Sequence, residues 1–521
     1  MLTVSNLLSN VPPLFGDLAK ILSGEIVFSH QAFLEASLDG SPYEVMPQTI
    51  IYPKTTTDIK HAIAFSREFK IPITVRGGGT SQTGGALGEG IIIDLTRHFN
   101  RIRNVNMMDH TVTVDAGTSI TTLQEKLKGW NMEIPSLGVD SNKSTIGGLV
   151  ATKSATSASF YAGTIREWIE GVTIIVDTGE EHIIKDGITP SGRLLGIYQS
   201  VFPLLIDSSP ILRAAKPEQP DDATGYSIWN TSIGPRQLLD QIVGSDGTLG
   251  IITSVTFRVS PSKLFSITNA IQIKDPELIS MFVDVAVHHN AERIFLLDQT
   301  LVTLTQKFHP DLLPSLKKAQ FTLLVTHRDD DVKKVKNKAT MFIKGLKVEE
   351  DEHVEFDETL VNTITNSDFA YSLIHNYGRG AHKVITSAGG MIVSLPQYAS
   401  LIKNIDEYMG SKGKLYALSG YAGSGHLSLL SLFDPGTKHF EEEILNYNEE
   451  IFKIVKKHKG GISAVGGDGL ARTPYLESFY NEATREIFKK LKEAWDPLSI
   501  FNPSKKVGGS TNYLRTHISR R

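Results

Sequence analysis

The sequence predicts an α+β protein of about three structural units, because its length and a change of texture along the chain both indicate more than one domain. At roughly 150 residues per domain, 521 residues allow about that number of units. Between residues 46 and 261, short β-branched strands stand next to glycine-rich turns. From residue 262 to residue 460, strands alternate with charged helices, which is typical of an antiparallel sheet covered by helices.

The first unit opens on a strand–helix–strand segment. Residues 49–52 are β-branched, Pro53 ends this strand, and residues 55–57 offer threonine N-caps for a helix. Apolar residues then recur at helical spacing up to Phe69, and residues 71–75 form the next strand.

The remaining predicted elements follow from the same periodicities. Strands are predicted at residues 91–95, 111–114, 172–177, 250–259, 265–273 and 320–327. Helices are predicted at residues 119–129 and 329–345. Residues 1–45 are predicted as a helical lead-in followed by a loop. Residues 461–521 are predicted as a glycine-rich loop and two helices ending near Trp495.

Composition excludes several kinds of site. The chain has no cysteine, so disulfides, iron–sulfur clusters, thiolate metal sites and thiol-linked cofactors are ruled out. The net charge of −4 gives no basic field for nucleic acid, so no nucleic-acid partner is expected.

The sequence predicts a cytoplasmic protein without a membrane span. The first 30 residues lack a basic segment followed by an apolar one, and no apolar run reaches about 18 residues. Residues 515–521 carry three arginines and a histidine. We interpret this tail as a solvated end, with peripheral contact to a membrane or a partner as the alternative.

A glycine-rich turn follows the strand at residues 71–75. It reads Arg76-Gly77-Gly78-Gly79-Thr80-Ser81-Gln82-Thr83-Gly84-Gly85. Consecutive glycines allow positive φ and close approach to a ligand, and successive N–H groups in such a turn can bind an anion. The turn lacks the Gly-Lys-Ser/Thr ending of a Walker A loop, and it leads to a strand rather than to the helix of a Rossmann turn.

Two further glycine blocks suit backbone contact with a polar ligand. One runs from Pro135 to Gly138 and on to Ser144-Thr145-Ile146-Gly147-Gly148, reaching Thr152. The other is Gly244-Ser245-Asp246-Gly247-Thr248-Leu249-Gly250-Ile251-Ile252.

In this order the blocks resemble FAD-linked oxidoreductases of the vanillyl-alcohol oxidase and p-cresol methylhydroxylase type. Within that group the sequence is most similar to the D-lactate, glycolate and D-2-hydroxyglutarate dehydrogenase branch. Thr224-Gly225-Tyr226, Asp496-Pro497, Asn502-Pro503 and Lys505 also match the family pattern, and Asp246 stands where glutamate is usual. The resemblance spans about residues 46–507.

The resemblance implies an FAD-binding domain of the p-cresol methylhydroxylase type at residues 46–261, completed by a C-terminal segment at 461–521. Residues 262–460 would form the cap over the flavin. The residues implied in FAD binding are Arg76, Gly77, Gly78, Gly79, Thr80, Ser81, Gly84, Gly85, Pro135, Thr145, Gly147, Gly148, Thr152, Gly163, Asp246, Gly250, Ile252 and Asn502.

The cofactor is expected to be non-covalent. Some relatives bind the flavin through a histidine just after the glycines, where this chain has Thr80, and the chain has no cysteine. A second departure lies at residues 153–156, where relatives usually have Asn-Ala-Gly-Gly and this chain has Lys-Ser-Ala-Thr. The surroundings of the cofactor should therefore be more polar and the backbone there stiffer.

The catalytic blocks of the family are altered. The block His-x-Gly-Asp-Gly-Asn-Leu-His is here Tyr421-Ala422-Gly423-Ser424-Gly425-His426-Leu427-Ser428. The block Glu-His-Gly-x-Gly is here Val465-Gly466-Gly467-Asp468-Gly469, which removes the usual metal-binding glutamate and proton-accepting histidine. Valine binds no cation and glycine accepts no proton, so the sequence predicts no metal here.

Hydride transfer from a hydroxylated carbon still requires a proton acceptor. His426 is the first candidate, followed by Tyr421 and Asp468, and Arg472 would suit a substrate carboxylate or phosphate. Each of His426 and Arg472 could equally have a structural role.

The sequence therefore predicts an FAD-dependent dehydrogenase or oxidase that acts on a CH–OH group, with a 2-hydroxy acid such as D-lactate, glycolate or 2-hydroxyglutarate as substrate. The electron acceptor is left open between a quinone, an electron-transfer flavoprotein, a cytochrome and oxygen. Two alternatives remain, a non-catalytic FAD-binding subunit of a dehydrogenase complex and a non-redox synthase of the ether-lipid type.

Overall fold

The structure is a computed structural model that describes residues 11–138, 142–231, 234–314, 316, 319–346 and 353–521. The first ten residues of the predicted lead-in lie outside this described part of the chain.

The described strands are labelled β1 to β19 in chain order. They are Glu25–Val27, Thr49–Tyr52, Ile73–Arg76, Ile91–Asp94, Ile102–Asn106, Thr111–Asp115, Met132–Glu133, Ile169–Ile175, Glu181–Lys185, Ile251–Arg258, Ser260–Pro261, Phe265–Ile273, Arg293–Asp298, Phe321–Asp329, His353–Phe356, Lys383–Ile385, Met391–Ile392, Tyr416–Gly420 and His426–Phe433.

The described α-helices cover both the first unit and the cap. They are Gly16–Ile21, His30–Ala36, Thr56–Phe69, Ile120–Gly129, Ile146–Thr152, Ser159–Ala162, Ile165–Trp168, Gly192–Asp207, Ser209–Ala215, Pro235–Ile242, Leu278–His288, Gln299–Phe308, Val332–Leu346, Glu358–Ile364, Ser367–Tyr377, Leu395–Lys412, Phe440–Lys457, Gly469–Arg472, Leu476–Phe479, Glu482–Trp495 and Thr511–His517.

The first sheet has the strand order β1-β2-β4-β3 and carries the glycine-rich turn at its end. The strands β2 and β3 both pair with β4 in parallel, while β1 joins β2 in antiparallel register. The helix between β2 and β3 begins with the capping box of Thr55 and Asp58, as the threonine run predicts. The turn after β3 is therefore held on a rigid strand end.

The second sheet forms the other half of the first unit. Its order is β5-β6-β10-β8-β9 and all its pairings are antiparallel. The helix Ile146–Thr152 connects to it through Gly147, whose N–H donates to Ala116 O just after β6. One apolar core, which includes Ile51, Ile93, Val114 and Ile174, joins the two sheets.

The cap is an antiparallel sheet of eight strands, as predicted for its class. Its order is β15-β12-β14-β13-β18-β19-β16, with β17 paired to β19. Successive side chains point to opposite faces, so one face packs in the core that contains Leu296 and Leu323, and the other in the core that contains Leu297 and Leu324. Helices cover both faces.

The C-terminal segment returns to the first sheet. The N–H of Ile73 donates to Ile500 O, and the N–H of Asn502 donates to Ile73 O, both at 2.7 Å. Residues 500–502 thus extend the open edge of β3, although they are separated from it by most of the chain.

Three local expectations differ from the structure. The strand β1 lies inside the predicted helical lead-in, because three residues are too few to show a strand periodicity. The helix Thr511–His517 was not predicted. The arginine tail is anchored as well as solvated, since Ser519 is buried and Arg520 forms an ion pair with Glu441 at 2.6 Å, while its three arginines stay exposed.

Candidate FAD-binding and active site

A single cavity of about 1400 Å³, counted with the open space at its mouth, separates the first sheet, the second sheet and the cap. Its lining takes in the glycine-rich turn, the N-terminal part of the helix Ile146–Thr152, the start of β10 and the cap loops. The residues are Val75–Gln82, Gly85, Ala86, Leu95, Ala116, Leu137, Gly138, Ser144, Thr145, Gly147–Leu149, Ala151, Thr152, Ser154–Thr156, Asp246, Gly247, Gly250, Ile252, Tyr421, Val465 and Gly466.

The glycine-rich turn presents unpaired backbone amides to this cavity. Within the described chain, the N–H groups of residues 77–82 donate no hydrogen bond to another protein atom. This turn requires glycine at two positions. Gly79 has a φ of 67°, and a Cβ on Gly78 would lie 1.7 Å from Lys143 O. Consecutive free amides on a rigid strand end form a nest for an anion.

The Arg76 side chain lies beneath the turn. Its guanidinium donates to Leu38 O at 2.8 Å and to Ala36 O at 3.1 Å. A Cβ on Gly79 would meet this guanidinium at 2.2 Å, so the arginine fixes the shape of the turn from below.

The opposite wall is built from the second and third glycine blocks. Thr145 caps the helix Ile146–Thr152 by accepting from Gly148 N–H. A Cβ on Gly148 would meet only Thr145 Oγ1, and a Cβ on Gly247 would meet no described atom within 4 Å. These glycines therefore leave space open along the wall, where Thr152, Gly250 and Ile252 also lie.

Four residues predicted in FAD binding stand behind the lining. Pro135 begins the turn that contains Ser136, whose hydroxyl donates to Gly163 O and so fixes the neighbouring Leu137 in the wall. Gly84 packs against Leu470 of the segment after the cap. Asn502 is 1% exposed and donates to Asp246 O at 2.6 Å and to Gly85 O at 3.1 Å. These four residues therefore support the backbone that lines the cavity and are not part of the lining themselves.

Asp246 lies at the junction of the cavity and the cap. Its Oδ2 accepts from the N–H groups of Asp468 and Gly469, both at 2.9 Å, and lies 3.7 Å from Lys506 Nζ. Its Oδ1 is buried and has no partner in the described protein. Burial raises the pKa of this carboxyl, with the charge of Lys506 opposing the rise.

Asp468 and Arg472 are fully engaged with protein groups. The Asp468 carboxylate accepts from Gly225 N–H and forms an ion pair with Lys506, both at 2.9 Å. The Arg472 guanidinium donates to the carbonyls of Ser387, Val465 and Gly467. Burial lowers the pKa of Arg472 to about 10, so it stays charged at neutral pH. Neither side chain lines the cavity, and both hold the loop at residues 465–469.

His426, the first candidate for the proton acceptor, is engaged at both ring nitrogens. Nδ1 accepts from Tyr421 N–H at 3.2 Å, and Nε2 lies 3.0 Å from Gly389 O, which requires the Nε2–H tautomer. The side chain is 3% exposed, and burial lowers its pKa to about 4. In this arrangement the imidazole is neutral, does not line the cavity and holds the Tyr421 turn in place.

Of the four catalytic candidates, all of which are described, Tyr421 is the one that lines the cavity. Its ring packs against His426 at 4.9 Å and Phe295 at 5.8 Å between centroids. Val465 and Gly466 complete this cap end, and Thr83 Oγ1 ties it to the glycine-rich turn by donating to Gly466 O. The glycine frame of the two altered blocks thus still shapes the pocket.

Sequence reasoning omitted several lining residues from the site. Gln82, Ser144, Ser154, Thr156 and Val465 all line the cavity. Ser154 and Thr156 belong to the segment where polar residues replace the usual glycines, so that departure was the available signal. Gly466 N–H donates to Ser154 Oγ at 3.1 Å, which links the two altered regions.

The described residues contain no group of three His, Asp or Glu side chains that could hold a metal ion. The absence of a metal from the working protein stays a prediction from the sequence. None of the described helices is long and apolar enough to cross a membrane.

The cavity fits an elongated, anionic and partly apolar cofactor. Free amides supply an anion site, open glycines leave room beside it, and the unpaired Asp246 Oδ1 can accept a hydrogen bond from a ring or sugar donor. A flavin dinucleotide has all of these features, so the fold and the cavity indicate a flavoprotein.

Comparison with known families agrees. Residues 47–185 match the family described as "FAD binding domain", and residues 277–506 match "FAD linked oxidases, C-terminal domain". Together the two matches cover well over half of the chain. The chain therefore combines the FAD binding domain with the C-terminal domain of the FAD linked oxidases, and it has FAD as its cofactor.

The names of its relatives describe enzymes of small hydroxylated acids. The chain is 23% identical to D-2-hydroxyglutarate dehydrogenase of Pantoea ananatis, over 94% of this chain and 50% of that protein, so it spans about half the length of that relative. It is 24% identical to the glycolate oxidase subunit GlcD of Bacillus subtilis, over 92% of this chain and 93% of that subunit.

Two solved structures share the fold. The 4-ethylphenol oxidase from Gulosibacter chungangensis has a TM-score of 0.71 at 14% identity and covers 96% of this chain and 98% of its own. An alkyldihydroxyacetonephosphate synthase has a TM-score of 0.64 at 15% identity and covers 95% of this chain and 85% of its own.

Gly78→Ala should abolish tight FAD binding, because the new Cβ would collide with Lys143 O and displace the amides of the turn. FAD content of the purified protein and a fluorescence titration of the apoprotein measure the effect. Gly129→Ala is the matched control, since its Cβ meets nothing within 4 Å. Equal FAD affinity in the two variants would contradict the assignment of the turn.

The buried neutral His426 should make the protein acid-sensitive. Its pKa is about 4 in the folded chain against an ordinary 6.5, so only the unfolded chain takes up this proton between those values. Stability is therefore full above about pH 6.5 and falls toward pH 4, by on the order of 3 kcal/mol from this group.

His426→Gln keeps an acceptor and a donor at the same place but does not titrate. Denaturant unfolding at pH 7.5 and pH 5 should show a smaller loss of stability in this variant than in the wild type. Both proteins keep the buried His327, whose pKa is also lowered to about 4, so both should still lose some stability at acid pH. An unchanged pH slope would show that His426 is not held neutral.

Proposed function

We propose that this protein is an FAD-dependent dehydrogenase or oxidase that removes a hydride from the hydroxyl-bearing carbon of a small substrate. The observation that carries the proposal is the continuity of the cavity. It runs from the anion nest of the turn to a cap end lined by Tyr421 and Val465, so a small molecule can stand against a bound flavin.

FAD, when bound, supplies the hydride acceptor. The chain supplies the rest of the site. The amides of residues 77–82 would hold the pyrophosphate, and Asp246 would accept a hydrogen bond from the cofactor through its unpaired Oδ1.

Tyr421 would contact the substrate hydroxyl. Its turn is fixed by the hydrogen bond from Tyr421 N–H to His426 Nδ1, so His426 acts as a positioning residue and not as the base. A tyrosine hydroxyl can both donate and accept, so it can orient the substrate hydroxyl and pass its proton on to solvent water at the open mouth of the cavity.

The substrates of the relatives indicate 2-hydroxy acids as the first class to test. The charge of the lining is a reason to test neutral substrates as well. Among the described lining residues Arg76 is the cationic side chain, and its guanidinium is already bonded to backbone carbonyls. A substrate carboxylate would have to be bound by neutral groups such as Gln82, Ser154 and Thr156. Neutral alcohols and aryl alcohols therefore belong in the same panel.

The two alternatives have specific support. The fold shared with alkyldihydroxyacetonephosphate synthase keeps a non-redox use of FAD open. The loss of both catalytic blocks is what a subunit that only binds FAD would show.

Anaerobic titration of the flavin absorbance near roughly 450 nm tests the proposal. Bleaching by D- or L-2-hydroxy acids, or by neutral alcohols, would establish hydride transfer and identify the substrate class. Reoxidation of the bleached protein by oxygen, a quinone, an electron-transfer flavoprotein or a cytochrome would then separate an oxidase from a dehydrogenase. If FAD stays oxidised with the whole panel, the supporting-subunit and non-redox functions replace this proposal.

Tyr421→Phe should slow flavin reduction by about 10²- to 10⁴-fold while FAD binding is retained, because the ring packing stays and only the hydroxyl is lost. Stopped-flow reduction with the active substrate measures the rate. Tyr161→Phe is the control, since Tyr161 is exposed and does not line the cavity. Equal reduction rates in both variants would remove Tyr421 from the mechanism.

A further inference from the structure

A buried lysine lies directly beneath the floor of the FAD cavity. Lys505 is 2% exposed, and its ammonium donates to Leu87 O at 2.5 Å and to Asn502 Oδ1 at 2.8 Å. The neighbouring buried lysines Lys492 and Lys506 are paired with Asp496 and Asp468, whereas no ion pair of Lys505 is formed with any described carboxylate. Its charge is therefore not neutralised by direct contact.

Asn502 connects this charge to the cavity. The Asn502 Oδ1 accepts from both Lys505 and Thr74, so the orientation of the amide is fixed. Its Nδ2 donates to Asp246 O at 2.6 Å and to Gly85 O at 3.1 Å, and both of these residues line the cavity. One polar side chain thus separates the ammonium from the lining.

This part of the floor lies at the cap end. Thr83, two residues before Gly85, donates to Gly466 O, and the Asp246 carboxylate accepts from Gly469 N–H. The redox-active part of a bound flavin would face the cap, because that is where a substrate could reach it. The ammonium of Lys505 would then lie near the group that gains electrons.

We propose that Lys505, acting through Asn502, supplies the positive charge that stabilises the reduced cofactor and raises its reduction potential. A flavin that has accepted a hydride carries one more negative charge than the oxidised flavin, and a charge in a buried site interacts with it far more strongly than in water. Lys505 transfers no proton and no electron in this step. It acts on the flavin through its positive charge alone and is therefore a positioning residue, not a catalytic one. The proposal depends on FAD binding and on no particular substrate.

The surroundings of Lys505 support this assignment. Burial lowers the pKa of Lys505 to about 7, while the carboxylates of Asp39, Asp246 and Glu89 act in the opposite direction. An additional negative charge in the cavity would favour the protonated form in the same way.

The test is the midpoint potential of the bound FAD in the full-length protein, measured at pH 6 by dithionite titration against a reference dye. Lys505→Gln keeps donors for Leu87 O and Asn502 but removes the charge. At a fixed ambient potential its ratio of reduced to oxidised FAD should fall about tenfold, which is ~30 mV for a two-electron couple. The affinity for sulfite, which adds to the flavin and leaves it negatively charged, should fall by a similar factor.

Two further variants separate charge from packing. Lys505→Arg restores the positive charge and should restore most of the potential. Lys490→Gln removes an exposed lysine from the helix Glu482–Trp495 and should change neither quantity.

The proposal fails if Lys505→Gln binds FAD fully and has the potential of the Lys490→Gln control, or if the Gln and Arg variants shift equally. If Lys505→Gln does not fold, Lys505→Met removes the same charge with an apolar side chain of similar length and should lower the potential in the same direction. An unchanged potential in that variant overturns the proposal. Because no substrate is used, these results are independent of whether the panel of hydroxylated compounds reduces the flavin.

Discussion

A buried ion pair and its neighbours join the FAD-binding unit to the C-terminal segment of this protein. Lys506 is 2.9 Å from Asp468 and 3.7 Å from Asp246, and all three side chains are buried. Asp246 comes from the FAD-binding unit, Asp468 from the loop after the cap, and Lys506 from the returning C-terminal segment. Removing one partner of such a pair typically costs about 3–5 kcal/mol, because an unpaired charge is left in a medium of low dielectric constant.

The same pair explains why the altered catalytic blocks keep their shape. The backbone of Asp468 and Gly469 is bonded to the Asp246 carboxylate, and Arg472 is bonded to the carbonyls of Val465 and Gly467. These contacts use backbone atoms, which do not depend on the side chains at positions 465 and 466. The loop can therefore lose a metal ligand and a base and still form the cap end of the cavity.

The sequence predicted the parts of the fold that depend on local patterns. The strand Thr49–Tyr52, the capping threonine Thr55 and the strand Phe265–Ile273 were all predicted, since a few residues contain the whole signal. The glycine blocks also identified most of the cavity lining, because positive φ and close approach leave a mark in composition.

The roles of the polar side chains at the cap end could not be predicted from local sequence patterns. His426 is bonded to Gly389 O, which is 37 residues away, and Arg472 to Ser387 O, which is 85 residues away. A histidine or arginine in a glycine-rich block looks the same in the sequence whether it faces a ligand or a carbonyl. Lys505 matched a family block, but its isolation from carboxylates depends on the packing of three distant segments.

The return of residues 500–506 to the first sheet has a consequence for biosynthesis. Asn502 lies 256 residues after Asp246, which it must contact to complete the cavity floor. During translation the cap leaves the ribosome whole while the cofactor site still lacks that floor, so vectorial folding should produce a folded cap beside an unfinished flavin domain. High contact order makes the closing step slow, and flavin loading becomes a late event in the maturation of the chain.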